Sequence, residues 1–512
     1  MAKFLDRLAA RLGYAPRQPQ RRTFSAAAMG RLYGGWVTAP MSIDRELRQG
    51  LRAVRSRSRD LSVNNAHGRR FLNMGKINVL GPDGITMQPR LKRPDGTLDE
   101  DANRILDEGW AEWGRRGNCT VCGTMSWRAV ERLDLEAAAR DGEFLLRKVR
   151  GFPNAFGFAL QPIDVDHLDE DYNAELPGGR EVRMGVELDR WKRPIAFHLL
   201  TRHPGENGVS QSPRRRERIG ADEIVHGFVR ERAGQTRGLP WGIAAMTRLK
   251  MLDGYEEAAL VAARVGAAKG GFYVEDDPDA YETADLDEEG NPLPNADSDG
   301  NLLQEAEAGH FERLPAGVKF EAYDPTYPHD QFGDFTKAAL RGASAGMNVS
   351  YNSLSWDLEG VNFSSMRSGL IEERDGWRVL QRWFYEDHHD QVYRDWLRSG
   401  LLHGAIDLPA ARFDEAARPI WRPRGWAWVD PLKDQQAVDL GLKNKLRTRR
   451  SVVAETGRDI EDVFREIAEE EALARKHGIS LAAPSSSSPA KAAAGAGEDA
   501  EDGDQEDDEE DK

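Results

Sequence analysis

The sequence predicts an α+β fold, and three observations predict it. Between Asp330 and Leu401 a helix, a polar loop and a much longer helix follow one another. Between Phe144 and Val229 short apolar runs alternate with turn residues, which reads as antiparallel strands and hairpins and not as βαβ repeats. Trp241 to Ala268 is a strong helix, followed by an acidic, Pro/Gly-rich insertion whose two ends look like strands.

A chain of 512 residues has room for about three domains. At 39% hydrophobic and 31% charged it reads as globular and soluble, and it has no run of ~18 apolar residues, so no membrane span is expected. The N-terminal MAKFLDRLAARLGYAPRQPQRR lacks a continuous apolar core and a small-residue cleavage site, and so makes a poor secretory signal. Glu498 to Lys512 carries 11 acidic residues and one lysine, net −10 against −15 for the whole chain, which leaves −5 on the rest. A nearly balanced body with an acidic tail is unlike a general nucleic-acid binder. DNA held inside a channel is not excluded, because phosphate contacts dominate affinity and sticking there would be a handicap.

In chain order, residues 1–41 form an arm with Pro16 and Pro19. Ser42 or Asp44 caps a helix from Ile43, along which Arg48, Arg52, Arg55 and Arg59 recur every three or four residues. An apolar helical segment follows, then a strand-like INVLG at 77–81. Asp99 opens a helix with Ile105, Leu106, Trp110 and Trp113 on its stripe, and the helix from Trp127 ends at Gly142. Strands are expected at Phe144–Val149, Phe156–Ile163, Val182–Leu188, Ile195–Leu200 and Ile224–Val229, with Asp189 to Pro194 as a hairpin connection.

Met246, Leu249, Leu252, Leu260, Val261 and Val265 are the apolar positions of the 241–268 helix, and Gly270-Gly271 stops it. In 272–327 the flanks can pair as strands around an acidic middle with the composition of a mobile segment. The next helix places Phe332, Phe335, Ala339 and Ala343 on one face and Asp334, Lys337 and Arg341 on another; Gly346 can end it in the left-handed conformation.

Met347 to Phe363 reads as a loop. Its Asn, Ser and Gly residues make local turns and do not sustain a helix, and a loop of this length is usually functional or mobile. Asn362, Ser364 or Ser365 can cap the long helix, whose stripe of Met366, Leu370, Trp377, Leu380, Phe384, Val392 and Trp396 runs to Ser399-Gly400. From Ser365 to Ser399 it would be on the order of 50 Å long, with Gly376 as a place for a kink. Arg374, Arg378 and Arg382 form a basic stripe, read either as a salt-bridged face or as a face aimed at a polyanion. Helices continue to about His477, then a linker and the disordered acidic end.

Signatures of chemistry are sparse. Cys119 and Cys122 have C-x2-C spacing, but the chain has no further cysteine and no H-x3-5-H pair nearby to make up four zinc ligands, and no thioredoxin-like context surrounds them. Asp297 to Gly300 is a fragment of a calcium loop lacking its remaining ligands. Glu386-x-x-His389, echoed by Glu223-x-x-His226, has the spacing used in di-iron bundles, but 223–228 reads as a strand, where i and i+3 face opposite ways. The plain alternative puts His388 and His389 on the polar side of the long helix. No H-E-x-x-H or phosphate-binding loop occurs. This profile favours a structural or interaction protein, with no catalytic residue, metal or cofactor expected.

Several collinear stretches resemble the lambda-type family of bacteriophage portal proteins: DLSVNNAHGRR (60–70), Trp110/Trp113, RDGEFLLRKV (140–149), LQPIDVDHLD (160–169), MGVELDRWKRPIAFHL (184–199), RERAGQTRGLPWG (230–242), YEEAALVAARVGA (255–267), NVSYNSLSWDLEGVNFSSMRSGLIEE (348–373) and VDPLKDQQAVDLGLKNKLRTRRSVVAETGRD (429–459). Together they cover residues 42–480. NCTVCG, where one cysteine is expected, the insertion near 275–305 and the acidic tail depart from the pattern.

The resemblance implies a ring, usually of twelve subunits, at one capsid vertex, through which double-stranded DNA is packaged and ejected. It implies contacts with the terminase large subunit, capsid or scaffold protein and head-completion proteins, and none with membrane. It assigns 1–41 to an arm, 42–240 to a wing, 241–268 and 328–346 to two stem helices and 269–327 to a β-rich clip. Residues 347–363 become a channel loop, 364–405 the long helix back to the wing, 406–480 a helical crown and 481–512 a disordered tail. In that scheme Asn348, Ser350, Tyr351, Asn352, Ser353, Ser355, Trp356 and Asn362 face DNA from the loop. Lys337, Arg341, Arg374, Arg378 and Arg382 are the basic residues facing the channel. Two other readings stay open: a metal-dependent, di-iron-like enzyme centred on Glu386 and His389, or a DNA-binding scaffold without a ring.

Overall fold

A computed structural model describes residues 39–206, 215–267, 271–275, 318–322, 331–359, 362–426, 431–456, 458 and 460–479. Residues 1–38 of the expected arm, most of the clip, the Asp297–Gly300 fragment and the acidic tail lie outside them. The chain divides into two compact units, 1–424 and 425–512.

In the first unit, helix α1 (Ile43–Asn64) begins where Ser42 Oγ accepts the Arg45 amide, and it buries Ile43, Leu47 and Leu51. Helix α2 (Ala66–Gly75) follows, capped by the Asn65 side chain. The strand-like INVLG does not form a strand: Lys76–Leu80 continues α2 as a π turn, with Val79 and Leu80 buried. Tertiary packing overrides the β-branched pair there.

Strand β1 (Thr86–Gln88) comes next, then α3 (Glu100–Trp113), capped by Asp99, and α4 (Trp127–Asp141), capped by Ser126. Gly142, at φ 93°, ends α4 with its Cα packed on the Leu239 backbone, where a Cβ would clash.

Strands β2 (Phe144–Arg150), β3 (Phe158–Ile163) and, later, β9 (Ile224–Gly227) form one sheet in the order β3-β2-β9. A five-stranded meander runs through β4 (Ala174–Leu176), β5 (Arg180–Arg183), β6 (Val186–Leu188), β7 (Pro194–Leu200) and β8 (Arg216–Gly220). Every strand pair is antiparallel, as the hairpin spacing predicts. The expected single strand 182–188 is two, because Met184 (φ 46°) and Gly185 (φ 84°) turn the chain between them. Leu145, Val186, Leu188, Phe197, Ile219 and Ile224 form the core shared by the two sheets.

Helix α5 (Ile243–Ala267) buries Met246, Leu249 and Leu252, as its stripe predicts. Leu260 and Val261, expected among its packed positions, are instead 72% and 56% exposed. Among the described residues, the packing that buries Met246, Leu249 and Leu252 does not extend to Leu260 and Val261. Strands β10 (Gly271–Glu275) and β11 (Val318–Ala322) pair as expected.

Helix α6 (Phe332–Gly346) packs on α5, with Tyr255 against Phe332 and Phe335. Its left-handed terminal residue is Asn348 (φ 55°), not Gly346. The Val349 amide reaches back to Ser344 O and the Asn348 amide to Ala345 O, the bond pair of a Schellman cap.

The long helix runs from Phe363 to Leu402 without interruption: α8 (Phe363–Phe384), a π turn (Tyr385–His389) and α9 (Asp390–Leu402). Its irregularity is that π turn and not Gly376, and Ser399-Gly400 lie buried inside it. The turn also corrects the expectation for His388 and His389, which have no exposed surface. Trp396 and Tyr393 of α9 meet Trp110 edge-on at 5.1 and 5.4 Å, and Trp113 Nε1 donates to Phe158 O, so α9 is fastened to α3 and β3 by an aromatic layer. Helix α10 (Phe413–Ala416) precedes β12 (Ile420–Arg422), which pairs with β1. The second unit contains helices α11 (Pro431–Lys443), α12 (Arg449–Glu455) and α13 (Ile460–Lys476).

Of the recurring arginines of α1, Arg55 and Arg59 point into this unit, whereas Arg48 and Arg52 are exposed. Arg55 bonds Glu143 and Asp166, Arg59 bonds Asp141, Asp164 and Asp166, and Arg52 reaches Glu170 and Asp171. Glu143, wholly buried, also accepts from Arg237 Nε at 2.8 Å, Gly238 N at 3.1 Å and His226 Nε2 at 2.8 Å. Burial pushes its carboxyl upward, but the Arg237 charge and the His226 bond outweigh it and hold Glu143 well below the usual range.

Glu143→Ala strands the buried Arg237 and should cost about 3–5 kcal/mol in guanidinium unfolding at pH 7. A group held below its unfolded value of about 4.3 stabilises fully above that pH, and the contribution fades as pH falls toward the folded value. Glu143→Gln should therefore show a shallower acid limb than the wild type, and parallel acid limbs would contradict the role given to this carboxylate.

Candidate functional site: the 347–363 loop and the basic residues around it

The loop between α6 and α8 is more ordered than its composition suggests. Ser350 Oγ accepts the Ser353 amide at 3.2 Å and starts a short helix, α7 (Tyr351–Ser355). This corrects the expectation that the segment holds no helix: one serine supplies the cap, and Leu354, 1% exposed, supplies the anchor. Met347 and Val349 are buried beside it. Trp356 ends α7 at φ 61°, a conformation costly for a bulky residue, on the order of 1–3 kcal/mol.

Most of the loop's hydroxyls bond within the loop. Ser350 Oγ donates to Ser353 Oγ at 2.7 Å, Ser355 Oγ to Tyr351 O at 2.8 Å, and Tyr351 OH to Asp357 Oδ2 at 2.7 Å. The bonds from Tyr351 and from the Glu359 amide hold the Asp357 carboxyl below its ordinary value. Of the residues expected to face DNA, Asn348, Trp356 and Asn362 are exposed. Ser350, Tyr351, Asn352, Ser353 and Ser355 are half-buried. Asn362 occupies the N-cap position of α8.

The loop is held to the body by Arg70 of α2. Its Nε donates to Ser353 O at 3.1 Å, and its guanidinium lies 4.1 Å from the Trp356 ring centroid. Ser350 N donates to Glu373 of α8 at 3.1 Å. Nothing in the sequence pattern singles out Arg70 as the partner of a loop some 280 residues later.

The basic residues divide. Lys337 lies 3.7 Å from Asp357 and 3.9 Å from Glu359, and Arg341 sits 5.4 Å from the Tyr351 ring, so both accompany the loop. Arg378 pairs with Asp375 and Arg382 with Glu386, each on its own helix and exposed, which is the salt-bridged reading of the stripe. Arg374, one turn earlier, is half-buried.

The metal-enzyme alternative does not assemble. Glu386 is exposed beside Arg382, His389 bonds Glu131, Glu223 pairs with Arg147 and His226 with Glu143; each goes to a different partner. Cys119 is buried, which pushes its thiol up to about 12, whereas Cys122 is exposed and hydrogen bonds from Thr124 and Thr120 pull it down to about 7. Among the described residues, one group brings three metal-capable side chains together, Asp164, Asp166 and His203, and Arg59 already bonds both of its carboxylates. No helix among them is long and apolar enough to cross a membrane.

Arg70→Ala should speed amide exchange across 351–356 about tenfold, the loss of one hydrogen bond and one cation–π contact, on the order of 1–2 kcal/mol. Unchanged exchange there would show that Arg70 does not hold the loop.

Residues 29–381 match the family model described as phage portal protein, lambda family. A probable portal protein of Halomonas phage phiHAP-1 is 37% identical over 485 residues, covering 92% of each chain. Portal protein B of Escherichia phage lambda is 21% identical over 470 residues, covering 87% of this chain and 88% of its own. A chain in the neck of an empty GTA particle aligns at 16% identity and a TM-score of 0.42, covering 80% of this chain and 94% of that one, too distant to add weight. With more than two thirds of its length matched by that model and a relative at 37% identity across nearly its whole span, the chain belongs to the lambda family of phage portal proteins.

Proposed function

We propose that this chain assembles into a ring, of twelve copies by analogy with its family, at one vertex of a phage capsid, and that double-stranded DNA passes along the ring axis during packaging and ejection. Helices α5 and α6 are the stem, β10 and β11 the base of the clip, and 347–363 the loop entering the channel. Residues 42–240 with α8 and α9 make the wing, and the helices after 425 belong to the crown. The ring is built in the host cytoplasm and stays in the virion. The clip meets the terminase large subunit and later the head-completion proteins, and the wing meets capsid or scaffold protein.

The observation that carries this reading is the apolar surface that α5 leaves exposed. Met251, Leu260 and Val261 stand 72%, 72% and 56% exposed on one long helix, apolar area that a neighbouring copy would cover. The loop supports it too. Hydroxyls bonded to one another, with Lys337 paired to Asp357 and Glu359, offer DNA few free cations, and phosphate contacts are what would hold it fast.

Negative-stain microscopy of the purified protein should show rings with a central hole; a monomer at high concentration would overturn the assembly and favour a scaffold without a ring. Leu260→Asp should leave the wing folded and lower the ring fraction, since about 1.5–3 kcal/mol of burial is lost at each of many interfaces. Shortening 347–363 should leave rings intact but impair DNA packaging or retention, and normal packaging by that variant would remove the loop from the channel.

A further inference from the structure

The π turn of the long helix faces α4 across four buried titratable side chains that the portal reading does not use. Asp134 Oδ2 lies 2.9 Å from His388 Nε2, His388 Nδ1 lies 3.3 Å from His389 Nδ1, and His389 Nε2 lies 2.7 Å from Glu131 Oε1. All four residues are 2% exposed or less.

Three hydrogen bonds need three hydrogens. Two neutral imidazoles bring one each, and ionised carboxylates bring none. Without one more proton, an unpaired link would leave two lone pairs facing each other in a water-free site. Glu131 cannot carry that proton: its Oε1 already accepts from His389 and the Ile85 amide at 3.2 Å, and Arg128 Nη1 lies 3.1 Å from Oε2. The Arg128 guanidinium balances Glu131 as a carboxylate.

The proton therefore belongs to the link between Asp134 and His388. Burial raises the Asp134 carboxyl above its ordinary range, and burial lowers His389 to about 4, so His389 is the neutral link. Aromatic rings enclose the two imidazoles. Phe384 and Trp127 stack on His388 at 4.6 and 5.1 Å, Trp421 meets His389 edge-on at 4.9 Å, and Phe144 closes the β2 side. The charged groups facing the chain are Arg128, Glu131 and Asp134 from α4. Asp390, on the long helix, is engaged by Trp421 Nε1, and Asp387 lies outside the hydrogen-bonded chain.

We propose that Asp134, His388, His389 and Glu131 form a one-proton lock that holds the π turn of the long helix against α4, and that loss of this proton loosens the joint between α8, which carries the candidate channel loop, and α9, which is fixed in the wing. A π turn holds one extra residue, so its release would turn α8 against α9 by about 100°, one helical position. The lock is a property of the single chain, and its failure would leave the ring reading untouched.

The sign follows from counting protons. The folded cluster holds three. Above about pH 7.5 the unfolded groups hold two, so the unfolding constant should rise tenfold per pH unit until the folded pair deprotonates. Below about pH 6 the unfolded imidazoles hold two each, four in all, and the dependence reverses.

The decisive variant is Asp134→Asn, measured on the full chain by guanidinium unfolding between pH 6 and 9.5. An asparagine amide supplies the missing hydrogen to His388 without an ionisable group. It should match the wild type near pH 7 and lose the tenfold-per-unit alkaline dependence, whereas Asp134→Ala should be destabilised at every pH. A wild-type alkaline slope in the asparagine variant, or alanine-like stability at pH 7, would overturn the lock. Should that variant not fold, hydrogen exchange of the wild-type 385–389 amides still decides. Corrected for intrinsic base catalysis, their opening constant should climb tenfold per unit above pH 7.5, and a pH-independent opening would refute the proposal.

Discussion

The first unit rests on one buried carboxylate. Glu143 sits just past the end of α4 and at the start of β2, with no surface exposed, and an unpaired charge there would not be tolerated. Arg55 of α1, His226 of β9, and Arg237 with the Gly238 amide of the segment leading to α5 all converge on its two oxygens. Arg237 also donates to Met184 O, in the turn between β5 and β6. One side chain thus fixes where α1 lies on the sheets, how the meander meets them and the direction in which the chain leaves toward the stem. Such a hub adds little net stability over an apolar core of the same shape, but it makes every other arrangement of these elements expensive.

Around that hub, charge and aromatic packing divide the work. The face of α1 toward the sheets is tied by Arg55 and Arg59 to the acidic residues at 141–143 and 164–166. The far end of the unit is held by tryptophans: Trp110, Trp113, Trp127, Trp396 and Trp421 approach one another within about one ring width. Shape excludes water there, so α9 is the rigid half of the long helix. Its other half, α8, touches the body through fewer buried residues, chiefly Trp377, Gln381 and Phe384, and carries the loop.

Both π turns among the described residues border α4. Lys76–Leu80 and Tyr385–His389 each admit one extra residue in a helix, and Gln381 Nε2, one turn before the second, donates to Asn78 O in the first. The extra residue lets neighbouring side chains reach α4 that a regular helix would direct past it: Lys76 to Glu136, and His388 and His389 to Asp134 and Glu131. Wide turns of this kind persist where side-chain bonds compensate for poorer backbone geometry.

Periodicity and capping residues determined by themselves the identity and order of most helices, because Ser42, Asp99, Ser126 and Gly142 act on their immediate neighbours and need nothing distant. The antiparallel hairpins were legible for the same reason, and so was family membership, through an ordered set of short stretches. Tertiary structure alone decided the rest. INVLG became a π turn because burial against other helices outweighs a β-branched pair, and Ser350 could start α7 only once Leu354 had a pocket. The arginines of α1 were visible in the sequence, but their carboxylates lie about a hundred residues away, and Arg70 meets Ser353 across 283. Local rules carry no information about partners at such separations. Only packing brings them together, and so only packing could show that the two adjacent histidines expected on a polar face are wholly buried.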